Sequence, residues 1–376
     1  MTDIAFQSAT DLVNAIKRRK IKSIELLELY IERMQRHNPK INAIVATDLD
    51  NARQRALAAD KALDKGESWG ALHGLPMTIK DSFEVVGMPC TSGSPDLKDY
   101  QPAKNAFVVQ KLLDEGAVIF GKTNLPLFAM DLQSYNEVYG QTNNPWNRGM
   151  VPGGSSGGAA AALAAGLTGL EMGSDIGGSI RNPAHFCGVF GHKPTFGIVP
   201  LSGHIPPPPG TYPGEYETDA DIAVAGPIAR SANDLDRVMG LINMRGTAML
   251  HRNWLFTDYA RTMMRETWAD FFKKFDILLC PAVSVTAFPH DHTEDFLARK
   301  LVVNGEDRPY FATAVAWAGL TGMVYLPSTI APVGPAQNGL PVGMQIVAPY
   351  LEDRTAIRFA GLVEDMVGGF SPPPDF

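Results

Sequence analysis

Cysteine is scarce in this chain: Cys90, Cys187 and Cys280 are the only three in 376 residues, and no two form a CxxC pair. An odd, unpaired set argues against a disulfide framework and against a zinc site, so no metal and no cofactor are expected. A reducing cytoplasm fits best, with each cysteine a small buried hydrophobe. Positive charge is also short, with 33 Lys and Arg against 40 Asp and Glu and a net charge of −7. That balance excludes a basic phosphate-binding surface, and with it a nucleic-acid partner. Long apolar runs are missing too. The longest small-apolar stretch, AAAALAAGLTGL from residue 159, is too short to span a bilayer and is interrupted by Gly and Thr. The first twenty residues lack the apolar core of a secretory signal, so no membrane association is expected. Repeats and linkers are absent, which points to one domain over 1–376.

What remains is a chain that is 45% hydrophobic, enough for a substantial core. Leu12, Ile16, Ile21, Ile24, Leu27 and Ile31 recur at roughly helical spacing and predict one or two amphipathic helices over 9–37. NARQRALAADKALDKG predicts another helix, closed by Gly66. LPMTIKD reads as a buried strand ending at Lys80, and FVVQKLLDEGAVIFGKTN as helix, glycine stop, strand. PGGSSGG opens an alanine-rich helix over 159–165 whose small side chains permit close packing. HIPPPPGTYPG reads as a stiff surface loop. DYARTMMRETWADFFKKFDILLCPA predicts a long amphipathic helix feeding a buried strand. The alternation of helices with short apolar strands predicts an α/β chain around a buried sheet.

Two literal motif matches fail on context. GAVIFGKT (116–123) satisfies the phosphate-loop pattern, but Ala-Val-Ile-Phe is a strand rather than a flexible loop that offers N–H groups to phosphate. GGSSG (153–157) satisfies the nucleophile-elbow pattern, yet no strand leads into Ser155.

GSDIGGSIRNP (173–183) is more informative. Glycines before a serine let the N–H groups of Ile176, Gly177 and Gly178 converge beside the Ser179 hydroxyl, where an oxyanion could develop. Taken alone, a tight turn with a capping serine explains the segment equally well. Six segments in order weigh against the turn: GLPMTIKD, GKTN, YGQTNNPWN, PGGSSGGAAAALAAG, GSDIGGSIRNPAHFCGVFGHKPTFG and AGPIAR. In these the chain resembles the amidase signature family of serine hydrolases, with a signature core over about 74–230 and further likeness in FDILLCPA and LPVGMQIVAP.

The resemblance implies a single-domain α/β/α sandwich with a large mixed central sheet. It also implies a Ser–Ser–Lys triad. Ser179 matches the acylated nucleophile, Ser155 the bridging serine and Lys80 the base. A serine needs a neighbour to take its proton, and a lysine can do so only when burial keeps it neutral. A small-molecule amide substrate is implied, and a homodimer is compatible. Ala129 and Met130, in the AMD stretch, align with pocket positions. His185 and His192 read as structural, Asp175 and Arg181 as holding the loop, and Ser156 as supporting the turn.

Two departures stand out. Leu127 replaces a glutamate common in relatives, which points to altered local packing. The segment after about 242 is short, either as a reduced lobe with a more open pocket or because residues are missing. A second function fits the same resemblance: the ammonia-releasing amidase component of a tRNA-dependent amidotransferase. Against it, this chain reads FGIVPLSGHIPPPPG where those relatives carry a segment running from SRYG to SLDQ.

Overall fold

In the computed structural model, which describes residues 3–205, 220–243 and 254–376, the helical stretch predicted over 9–37 forms two helices, the second running on to Ile41. These are α1 (Ala9–Lys17) and α2 (Ser23–Ile41), followed by β1 (Ile44–Thr47) and α3 (Leu49–Asp64). Ser8 starts α1 by accepting the Asp11 N–H at 3.0 Å, a side-chain cap for a donor the helix cannot satisfy itself. Next come β2 (Pro76–Lys80), α4 (Phe107–Asp114), β3 (Val118–Thr123) and the short β4 (Tyr135–Asn136) and β5 (Gly140–Gln141). The middle of the chain forms α5 (Gly157–Ala164), β6 (Glu171–Asp175), α6 (Arg181–Cys187), β7 (Phe190–Lys193), β8 (Val224–Ala229) and α7 (Ala232–Ile242). The remainder is α8 (Trp254–Phe272), β9 (Leu278–Pro281), β10 (Lys300–Val303), β11 (Glu306–Pro309), α9 (Tyr310–Gly322), β12 (Ser328–Pro335), β13 (Pro341–Val347) and α10 (Asp353–Val367).

The strands form a mixed α/β architecture. Six strands run in the order β6-β8-β7-β12-β13-β9, all antiparallel pairs, and three more in the order β1-β3-β2, with β2 and β3 parallel. β2 lies beside β6, where Thr78 donates through Oγ1 to Glu171 Oε1 at 2.6 Å and through N to Thr168 Oγ1 at 2.9 Å. Side chains alternate across the sheet as the strand period demands. Thr329 of β12 bonds His192, which bonds Asp353 of α10, whereas Ile330 packs at Gly343 beside α6.

α5 is buried along its whole length because its sequence, GGAAAALA, projects so little. A Cβ on Gly158 would sit 2.4 Å from the Asn124 backbone N, so only glycine lets the helix approach β3's exit this closely.

β9 departs from expectation. It is an edge strand, and Leu279 is 45% exposed, so the apolar run FDILLCPA is half-solvated rather than buried. Residues 206–219, with most of the proline-rich loop at 204–214, and residues 244–253, in the short segment after 242, lie outside the described residues.

Candidate active site

The phosphate-loop match resolves as β3, buried at every residue, with Lys122 bonded to Asp81 at 2.9 Å. Lys80 ends the neighbouring strand β2, also fully buried. Ligand sites in parallel strand pairs lie beyond the carboxyl ends, and three serines meet Lys80 there. Its Nζ donates to Ser155 Oγ at 2.6 Å, Ser174 Oγ at 2.9 Å and Ser156 Oγ at 3.1 Å. Among the described residues it has no carboxylate in ion-pair range. Burial therefore dominates and pushes its pKa down to about 7, against the pull of Asp175 and Glu171.

Ser155 follows a cis peptide bond after Gly154, and the chain enters it through Gly153 at φ +88° rather than from a strand. The next N–H, of Ser156, donates to the Ser179 carbonyl at 3.0 Å, which sets the GGSSGG loop against the DIGGS turn. Ser156 therefore does more than support a turn, since it joins Lys80 to the Ser179 backbone. Ser179 is nearly buried, 8% exposed, and its hydroxyl makes no hydrogen bond among the described residues.

The expected oxyanion donors divide. The N–H groups of Ile176 and Gly177 bond no protein acceptor among the described residues, and neither does that of Ser179 itself. Gly178 differs, because its N–H donates to Asp175 Oδ1 at 2.9 Å. Asp175 also accepts from Ile180 N at 3.0 Å and from Arg181 through Nε and Nη2 at 3.0 and 2.7 Å. Burial works against its charge, but the Arg181 guanidinium and these bonds outweigh that and hold it well below the usual carboxylate range. Arg181 in turn reaches Ala318 O, Thr321 Oγ1 and Gln345 Oε1, so the pair anchors the turn to α9 and β13.

Neither nearby histidine turns to Ser179. His185 accepts the Gly343 N–H on Nδ1 at 2.8 Å and reaches the Val285 carbonyl through Nε2, while His192 is held between Thr329 and Asp353. Ala129 sits at φ +59° at the end of a short 3-10 turn beginning at Leu127, and Met130 is 67% exposed.

Two participants escaped the sequence reading. Ser174 reaches Lys80 from β6, and its only sequence signal was a hydroxyl immediately before Asp175. Glu171, buried beside Thr78, has its pKa raised to about 8, mainly by burial.

A family model described as amidase matches residues 25–247 and 239–357. A glutamyl-tRNA(Gln) amidotransferase subunit of Thermoanaerobacter pseudethanolicus is 46% identical over 195 residues, which is 52% of this chain and 40% of that protein. The chain thus matches less than half the length of this curated relative. Among solved structures, one from a vestigial complex bearing on the origins of an s-triazine catabolic enzyme superposes with a TM-score of 0.85 at 24% identity, covering 97% and 99% of the two chains. A bacterial aryl acylamidase of the amidase signature family superposes with a TM-score of 0.80 at 23% identity, covering 96% of each. These two likenesses establish the shared amidase-signature fold, the α/β/α sandwich expected from sequence. The chain belongs to the amidase family.

Proposed function

We propose that the chain hydrolyses a carboxamide through an acyl-enzyme on Ser179, with Lys80 as base acting through Ser155. The observation that carries this reading is a fully buried lysine bonded at 2.6 Å to Ser155, whose loop is bonded in turn to the Ser179 backbone. The Ser179 Oγ attacks the carbonyl carbon as its proton passes to Ser155 and the Ser155 proton passes to neutral Lys80. Negative charge grows on the carbonyl oxygen and is received in this reading by the N–H groups of Ile176 and Gly177, which bond no protein acceptor among the described residues. Collapse breaks the C–N bond. Lys80 returns its proton through Ser155 to the departing nitrogen, which leaves as an amine, and water then hydrolyses the ester on Ser179. The same relay serves esters and carbamates, because the acyl-enzyme does not depend on the leaving group.

The purified chain should release chromophore from an acyl p-nitroanilide, and Ser179→Ala should abolish that release. A fluorophosphonate should label Ser179. Labelling at Ser155 with Ser179 untouched would refute the assignment.

A second reading is favoured by the 46% identity to a glutamyl-tRNA(Gln) amidotransferase component. In that reading the same relay releases ammonia from glutamine for a partner protein. Activity that appears only with glutamine and a partner, and never on anilides, selects it.

A further inference from the structure

Asp131 follows Met130, and its backbone lies against the loop that carries Ser155. A Cβ on Gly154 would sit 2.6 Å from the Asp131 carbonyl oxygen, so Gly154 is wedged between Asp131 and Ser155. The Asp131 carboxylate accepts from Arg299 Nη1 and from the Tyr310 hydroxyl, each at 2.6 Å. Arg299 also donates through Nε to Thr293 O at 2.9 Å and through Nη2 to the Tyr135 hydroxyl at 2.7 Å. The Asp131 and Arg299 side chains are 10% and 4% exposed. A second tie runs parallel to the first. Gln133 and Asp291 exchange hydrogen bonds at 2.8 and 2.9 Å, and His292 stacks on Tyr135 at 3.9 Å.

These contacts bind residues 131–135 to 291–310, the stretch that carries β10 and β11 and leads into α9. α9 continues to the turn that precedes Ser179. A Cβ on Gly177 would meet Val315 at 3.3 Å, and one on Gly322 would meet the Ile176 carbonyl oxygen at 3.1 Å. One continuous segment therefore touches both the stretch packed on the Ser155 loop and the turn that leads into Ser179. The packing beneath it is apolar, with Leu132, Leu301, Tyr310 and Phe296 in one cluster.

We propose that Asp131 and Arg299 form a latch that holds residues 291–310 and the start of α9 as a wall of the acyl pocket, limiting the size of the acyl group accepted. This rests on the amide-hydrolase reading above. Three of the five Arg299 N–H groups go to protein oxygens and its side chain is only 4% exposed, which keeps its charge away from a substrate carboxylate while the latch is closed. The acyl group that fits is uncharged and apolar. Asp131 and Arg299 are positioning residues, acting through the wall they hold.

Arg299→Met, Asp131→Asn and the double variant test the latch against a series of acetyl, butyryl and hexanoyl p-nitroanilides. Each single variant should erode selectivity for the shortest acyl group by about tenfold or more, carried by KM. The kcat for the acetyl substrate should change by less than about threefold. The double variant should recover thermal stability relative to Arg299→Met, because no lone buried charge remains, while selectivity stays relaxed. A uniform loss of kcat with selectivity intact would overturn the proposal. Hydrogen exchange separates this failure from failure of the amide-hydrolase reading. If the wild type hydrolyses none of the series, that reading falls. The latch then stands only if Arg299→Met speeds exchange in both 131–135 and 176–179, and unchanged exchange there overturns it.

Discussion

The pH dependence of turnover tests the mechanism most directly, because Lys80 can act only when neutral. An ordinary lysine, at the usual 10.5, is neutral in roughly three molecules per ten thousand at pH 7, whereas one at about 7 is neutral in half. Burial thus supplies on the order of a thousandfold in active base, equivalent to about 4 kcal/mol. kcat/KM for an anilide should therefore rise tenfold per pH unit up to about 7 and then level off. At pH 5 it should lie about a hundredfold below the plateau. The assay is initial rate at low substrate from pH 5 to 9.5, with the fold monitored at each pH. The same shift leaves a mark on stability. The folded pKa lies below the unfolded one, so the unfolded chain binds more protons between about 7 and 10.5, and stability from this group rises with pH across that window. Lys80→Met removes the dependence, so the wild type should gain on the variant as pH rises from 7 toward 10. A profile with no acid limb, or a limb near 10, would mean that Lys80 is an ordinary ammonium and that the relay does not operate.

Ser174→Ala removes one of the three hydroxyls that accept from Lys80 Nζ. Since those bonds favour the ammonium, the acid limb should move to lower pH, and kcat/KM on the plateau should fall by about fivefold for a lost bond of about 1 kcal/mol. An unmoved limb would show that Ser174 only packs there. Asp175→Asn leaves the Arg181 charge buried without its partner and should cost about 3–5 kcal/mol in urea unfolding at pH 7. A loss below about 1 kcal/mol would refute the anchoring role. Gly158→Ala drives a Cβ to within 2.4 Å of the Asn124 backbone and should destabilise by about 1–3 kcal/mol or more, read as a lowered thermal midpoint.

Local signals in the sequence carried much of the architecture. The alanine stretch became α5 because its side chains are too small to do anything but pack. TIK became the end of β2, and Gly66 closes α3 at φ +80°. β9 misled because an apolar run looks the same in a central strand and at an edge, and only pairing distinguishes them. Gly178 misled for a related reason. Glycine leaves an N–H free to point anywhere, and whether that N–H faces a substrate or Asp175 depends on an acid three residues earlier that also holds Arg181. Asp131 and Arg299 are 168 residues apart, and nothing local marks either as the other's partner.

The three buried lysines show most clearly where sequence stops and structure begins. Lys80, Lys122 and Lys193 each sit in a short apolar strand and each is fully buried. Desolvation acts on all three alike, yet Lys122 stays charged because Asp81 lies 2.9 Å away, and its pKa is raised rather than lowered. Among the described residues Lys193 donates only to the Pro194 carbonyl, and it is pushed down to about 7, level with Lys80. Among these three, burial separates none of them and a lowered pKa still leaves two. Only Lys80 adds contact with a hydroxyl that leads toward an unpaired serine. A base needs both an uncharged amine and an acid to deprotonate, and the second condition is met at one position.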